Sequence, residues 1–249
     1  MPAEPLALFV VAAAAAVHLG LAWARARPPA QPVPDLDGYL ARWRELHGGY
    51  DPATNVWVRG WLRLAYAVAG PFARRGVHPH ALTAATVWLA LIALATALAG
   101  GRWPLLGVVA VVASGLGDAV DGAVATLTDR ASRWGFVLDS VTDRVSDVLY
   151  VAVLLALGAP LELAAPTAVG IIGLEYVRAR ADLAGAGAVG TVTVGERASR
   201  VICAGVGLLA AGAVPAYAAL MATISLGVLA AATVVGLGQL LVAVRRQLR

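Results

Sequence analysis

The chain has 249 residues, 60% of them hydrophobic and 14% charged, which leaves too little polar surface to cover a soluble globule. All 19 basic residues are arginine, so the formal net charge of +4 rests on side chains that stay protonated and grip phosphate oxygens in a planar fork. Anionic lipid or phosphate is the partner this implies, and the single cysteine, Cys203, excludes an internal disulfide and a thiolate metal cluster.

The 27 glycines and many alanines suit helices that pack closely in lipid, so the chain reads as an all-α, polytopic membrane protein. In chain order, Pro5 to Ala24 is long enough to span a bilayer. With Glu4 the only charged side chain before it, it reads as an anchor helix and not a signal peptide. His18 inside it is expected to face a neighbouring helix. From Arg25 to His80 the chain turns polar. Pro28, Pro29, Pro32 and Pro34 break helices, and Asp35 to Tyr50 mixes both charge signs, which predicts a linker and a surface segment. Val56 to Phe72 sets Trp57, Trp61 and Val68 on one side and Arg59 and Arg63 elsewhere, predicting an amphipathic helix lying on the membrane.

Six further apolar stretches follow: Leu82 to Ala99, Pro104 to about Thr126, Gly135 to Leu157, Leu161 to Val177, the short Val201 to Val214, and Ala216 to Val244. The expected division is an anchor over 1–27, a cytoplasmic linker with the interfacial helix over 28–76, and a six-helix membrane domain over 77–249. Every arginine except Arg102 and Arg144 falls in Arg25 to Arg75, Arg130 to Arg133, Arg178 to Arg200 or the tail from Arg245. The positive-inside rule puts those segments in the cytoplasm, the N-terminus outside and the C-terminus inside, with seven crossings.

Asp118, Asp121, Asp139 and Asp143 stand out, because each acid at mid-membrane costs about 2.5 kcal/mol or more. The first two are three apart on one helix and the last two four apart on the next, so each pair shares a face and two antiparallel helices would present four carboxylates to one cleft. Such a cleft repels itself unless cations enter. Carboxylate oxygens, with no histidine or thiolate expected nearby, suit two Mg²⁺ or Mn²⁺ ions, a clamp used in phosphoryl chemistry. Gly122 and Gly135 remove side chains where a diphosphate would approach the backbone.

The run Asp118-Ala-Val-Asp121-Gly122-Ala-Val-Ala125-Thr126, then eight residues, Gly135, Asp139 and Asp143, resembles the CDP-alcohol phosphatidyltransferase signature DxxDGxxARx₈GxxxDxxxD. Pro79-His80-Ala81-Leu82-Thr83 looks like the short sequence that precedes the first core helix in that family. The resemblance covers roughly Val77 to Val244 and implies six core helices. It implies transfer of a phosphatidyl group from CDP-diacylglycerol to a small alcohol with release of CMP, in phospholipid synthesis. Asp118 and Asp139 would touch both metal ions, Asp121 the first, Asp143 the second, and Asp143 would also act as general base. Thr83, Gly122, Ala125, Thr126, Ser132 and Gly135 would line the CDP-lipid site.

One departure is Thr126, where the family usually has arginine. Arg130 or Arg133 would supply the missing charge if the helix continues; otherwise the site is impaired and the chain binds nucleotide-lipid without efficient turnover. Segments around Glu175 to Arg180 and Gly195 to Arg200 are similar to those of actinobacterial phosphatidylinositol phosphate synthase-like members. That likeness suggests a phosphorylated alcohol held by Arg144, Arg178, Arg180, Arg197 and Arg200 around a loop of Gly185, Gly187, Gly190 and Gly195. The arginine that this group carries inside its last helix is absent, since Gln239 is followed by Leu240. The acceptor stays open. The expected partners are CDP-diacylglycerol, an alcohol and membrane lipids, with no nucleic acid. A homodimer is implied by the resemblance, and a bacterial plasma membrane, with the active site on its cytoplasmic side, is the expected location. An ion-coupled transporter is the alternative, though it predicts acids spread along a path with broken helices, not acids gathered at one depth.

Overall fold

The structure, a computed structural model, describes residues 5–46, 48–186 and 193–249. Glu4, Gly187 and Gly190, named in the reading above, lie outside the described residues. Among the described residues the fold is helical throughout: α1 (Leu6–Arg25), α2 (Leu36–Leu46), α3 (Val56–Arg75), α4 (Pro79–Ala99), α5 (Pro104–Leu127), α6 (Arg133–Ala156), α7 (Leu161–Ala181), α8 (Arg197–Ala213) and α9 (Ala218–Gln247). The last six are the expected core helices. An all-α membrane protein is what the composition predicts, and α1, α4, α5 and the segment Pro215–Gln247 are long and apolar enough to cross a bilayer on their own. α6 and α7 have 24 and 21 residues, enough length at about 1.5 Å per residue, but they carry more charge; α8, with 17 residues, is the short one.

The chain forms two compact units. The first comprises Met1–Phe9, Ala90–Val112 and Arg144–Arg249; the second comprises Val10–Leu89 and Ala113–Asp143. In the first unit, α9 packs along α7 and α8. Its core gathers Ala90, Val111, Tyr150, Leu154, Ile171, Leu208 and Leu226, all buried. Small residues permit this closeness, as expected for helices associating in lipid. A Cβ on Gly236 would sit 2.8 Å from the backbone nitrogen of Gly195, so any side chain there would push the segment before α8 off α9.

In the second unit, α3 buries Leu62, Ala65, Ala69 and Ala73, a stripe at three- and four-residue steps, against Val120, Ala123, Val124 and Leu127 of α5. Its start is fixed by Asn55, whose Oδ1 accepts the amides of Trp57 at 2.9 Å and Val58 at 3.3 Å. Its end is fixed by Gly76 at φ 78, a left-handed turn that lets the Val77 amide reach the Phe72 carbonyl at 3.0 Å. A side chain on Gly76 would also collide with the backbone carbonyl of Arg27. The anchor helix is tied in at two points: His18 Nε2 lies 2.9 Å from the Ala81 carbonyl, and the Arg75 guanidinium stacks 5.8 Å from the centre of the Trp23 ring. His18 therefore faces a neighbouring helix, as expected.

The segment read as linker and surface contains α2. Leu36, Tyr39, Leu40 and Trp43 recur at helical spacing and pack into this core, with Asp35 Oδ1 capping the Gly38 amide at 2.9 Å. The four preceding prolines and the mixed charge conceal a short amphipathic pattern.

Candidate active site

Two antiparallel-read helices carry the acids, and the geometry follows from their spacing. Asp118 lies on α5, Asp139 and Asp143 on α6, and one carboxylate oxygen from each comes within 4.8 Å of the others. Asp121 stands outside that trio, although it faces the same cavity. It is 6% exposed, sits against Thr83, and its Oδ2 is buried without a hydrogen-bond partner. Three acids this close, with a fourth holding an unsatisfied oxygen, could hold a cation. The donor set is entirely oxygen, which suits hard divalent cations better than zinc or copper.

Asp118, Asp121 and Asp139 line a cavity of about 740 Å³ in the second unit, within the size range of small-molecule sites. Thr83, Asp118, Asp121, Gly122, Ala125, Thr126, Ser132, Gly135 and Asp139, all expected from the sequence, line it. Asp143 joins the carboxylate trio and is not part of the lining.

Thr126 turns its hydroxyl back onto the Gly122 carbonyl at 2.9 Å, so it offers little to a ligand. The helix does not continue to Arg130, as the sequence reading had required. α5 ends at Leu127, Asp129 takes a left-handed φ of 54, and the Arg130 amide closes the turn on the Ala125 carbonyl at 2.9 Å. The reversal still brings Arg130 to the cavity, where it donates to the Gly76 carbonyl at 3.1 Å. Arg42 of α2 reaches the Thr126 carbonyl at 3.3 Å, a second cation beside the position that lacks one.

Several lining residues escaped the sequence reading. His80 corrects the expectation that no histidine lies near: its Nε2 is buried without a partner, beside Gly135 and Ser132. Tyr39, Trp43, Trp57 and Trp61 also line the cavity. Burial pushes the Tyr39 phenol up to about 12, so it stays a hydroxyl at any physiological pH. The four-residue step from Trp57 to Trp61 and the α2 pattern were the available signals.

In the first unit Arg144, Arg178 and Arg200, three of the expected acceptor arginines, have partners within the chain. Arg200, wholly buried, holds Asp147 through Nη1, Glu175 at 3.0 Å and the Gly195 carbonyl at 2.9 Å. Arg144 bridges the same two acids at 3.1 and 3.2 Å. Arg178 grips Glu196 with both terminal nitrogens, at 2.8 and 3.3 Å. Burial pushes the Glu196 carboxyl up, but Arg178 and the Thr193 amide and hydroxyl outweigh it and hold it below the ordinary range. Arg180 is exposed and Arg197 half-buried. Gln239, where an arginine was noted as missing, accepts the Val194 amide at 3.1 Å. Asp147 is thus a buried structural acid, while Asp129 is exposed at its turn. Cys203 is buried, as a packing residue should be.

Archaetidylinositol phosphate synthase of Aeropyrum pernix is 38% identical over 123 residues, 48% of this chain. The matched region spans 61% of that relative's length. The family model described as CDP-alcohol phosphatidyltransferase matches residues 76–237, which include every acid of the trio, Asp121 and all six core helices up to the last turns of α9. The chain belongs to the CDP-alcohol phosphatidyltransferase family.

Proposed function

We propose that this chain transfers a phosphatidyl group from CDP-diacylglycerol to a small phosphorylated alcohol, releasing CMP. The observation that carries the reading is the convergence of Asp118, Asp139 and Asp143 within 4.8 Å, beside a cavity that Asp121 also faces. Two divalent ions, Mg²⁺ or Mn²⁺, held by these four carboxylates would neutralise the donor's diphosphate and stabilise charge on the oxygens that enter and leave phosphorus.

The chain's own residues supply the rest. Arg130 takes the role left vacant at Thr126 and grips a donor phosphate. Gly122 and Gly135 keep the walls low enough for the diphosphate to approach the backbone, with Thr83, Ala125, Thr126 and Ser132 around it. Asp143 accepts the proton of the acceptor hydroxyl as that oxygen attacks the phosphatidyl phosphorus. The new oxygen–phosphorus bond forms while the bond from that phosphorus to the bridging oxygen breaks, and CMP departs with the electron pair.

An acceptor-phosphate role is proposed for Arg180 and Arg197. For Arg144, Arg178 and Arg200 the ion pairs within the chain favour a structural part in its place. The arginine distribution supports a site on the cytoplasmic side, the lysine-free, arginine- and alanine-rich composition supports a bacterial plasma membrane, and the division into anchor (1–27), linker with interfacial helix (28–76) and catalytic domain (77–249) goes with them. The homodimer rests on family likeness alone.

The Aeropyrum pernix relative's name puts an inositol phosphate first among the acceptors to try. Purified full-length protein with Mg²⁺, CDP-diacylglycerol and, in parallel, inositol phosphate, glycerol phosphate, inositol or serine should yield CMP and a new lipid only with a phosphorylated alcohol. The product mass identifies which. A product formed only from an unphosphorylated alcohol overturns the acceptor assignment, and no CMP with any acceptor overturns the transferase reading.

A further inference from the structure

The cavity that faces the acids has one wall that the family-matched residues do not provide. Tyr39, Trp43, Trp57 and Trp61 all precede residue 76, where the family match begins. The wall is a contribution of α2 and α3, which precede the family-matched region.

Two features make it more than a membrane anchor. Trp57 and Trp61 are as open as tryptophans at a lipid surface are, yet with Tyr39 and Trp43 they line the same cavity as Asp118, Asp121 and Asp139. Two of the rings are also braced by others outside the cavity lining: Tyr39 lies 5.7 Å from Tyr66, and Trp43 meets Tyr50 edge-on at 6.2 Å. Trp43, held in this way, presents a fixed flat face and loses little freedom when something covers it.

Resting on the transferase reading above, the occupant can be chosen by chemistry. The donor's diphosphate belongs with the acids and Arg130, and its acyl chains remain in lipid, where aliphatic contact suffices. What is left is a flat pyrimidine, and aromatic faces are what bind such a ring without needing its edges. We infer that Trp43, Trp57 and Trp61 form a stacking surface for the cytosine base of the donor nucleotide, making α2 and α3 a determinant of donor recognition in this chain.

The test uses the full-length protein in lipid–detergent micelles with Mg²⁺, titrated with CDP and, separately, with inorganic pyrophosphate. Trp57, 84% exposed, and Trp61, 47% exposed, can be replaced without disturbing the core. Trp57→Leu and Trp61→Leu should each weaken CDP binding by about 5- to 100-fold, as loss of one stacked ring does, while pyrophosphate binding stays within about twofold. Trp61→Tyr should restore CDP affinity to within about threefold, because it returns a ring face. Leucine variants that bind CDP as tightly as the parent overturn the inference. If they instead raise only the KM for CDP-diacylglycerol, the wall serves the lipid portion. A parent protein that binds CDP yet releases no CMP with any acceptor sinks the transferase reading and leaves the stacking result legible. A parent that binds no CDP overturns both.

Discussion

Asp143→Asn should lower the rate of CMP formation by about 10²- to 10⁴-fold while the protein still folds and binds CDP. The substitution keeps the shape of the side chain and removes its capacity to take a proton as well as its negative charge. Asp143 lies in the carboxylate trio but outside the cavity lining, and the other three acids remain to hold a cation, so nucleotide affinity should fall less than the rate does. The loss should therefore appear in kcat more than in KM for CDP-diacylglycerol, the mark of an interaction made only as the bond is formed. A variant with undiminished turnover would remove Asp143 from the role of base, and equal losses in kcat and CDP affinity would make it chiefly an element of the donor site.

Arg200→Leu is expected to cost about 3 kcal/mol or more of stability, the penalty for leaving a buried carboxylate short of its main partner. Both side chains of the Arg200–Asp147 pair are entirely buried, and Asp147 already has one oxygen, Oδ1, without a hydrogen bond. Arg144 still reaches Asp147 from 3.1 Å, which keeps the penalty nearer the lower bound for a broken buried pair. Adding Asp147→Leu should recover most of the loss, since Arg144 and Glu175 remain paired at 3.2 Å and no buried acid is stranded. Thermal unfolding in micelles of the two single variants and the double variant measures the coupling. Arg200→Leu with an unchanged melting temperature and a large rise in acceptor KM would show that the side chain serves substrate and not the fold.

That second result touches how much of this molecule can be read from its sequence. Apolar runs long enough to span lipid announce α1 and the six core helices to within a few residues, because in lipid the backbone has to close its own hydrogen bonds and the runs have to be helical. The acids are legible for a related reason: charge at such depth is expensive, and the steps Asp118 to Asp121 and Asp139 to Asp143 leave one face for each pair. Arg200 is a different matter. Its partner Asp147 is 53 positions away and Glu175 is 25 away, so sequence spacing gives no sign that the arginine is neutralised inside the chain, and a phosphate role looks equally natural. The aromatic wall escaped for the same reason. Tyr39 and Trp43 sit behind four prolines in a charged stretch, and only the packing of α2 on α3 turns them toward residues that come some 80 positions later. Thr126 shows the converse, a local gap in a motif beside which Arg130 reaches the cavity through a left-handed turn at Asp129 that no periodicity foretells.

On the proposed mechanism, the acids gathered from α5 and α6 work by holding divalent cations. It is tested most directly by following CMP release from CDP-diacylglycerol while EDTA is added in excess and Mg²⁺ or Mn²⁺ is then restored. Release should stop on chelation and return with the metal, and Asp118→Ala should fail to recover at any metal concentration that rescues the parent. Continued CMP release in excess EDTA would contradict it.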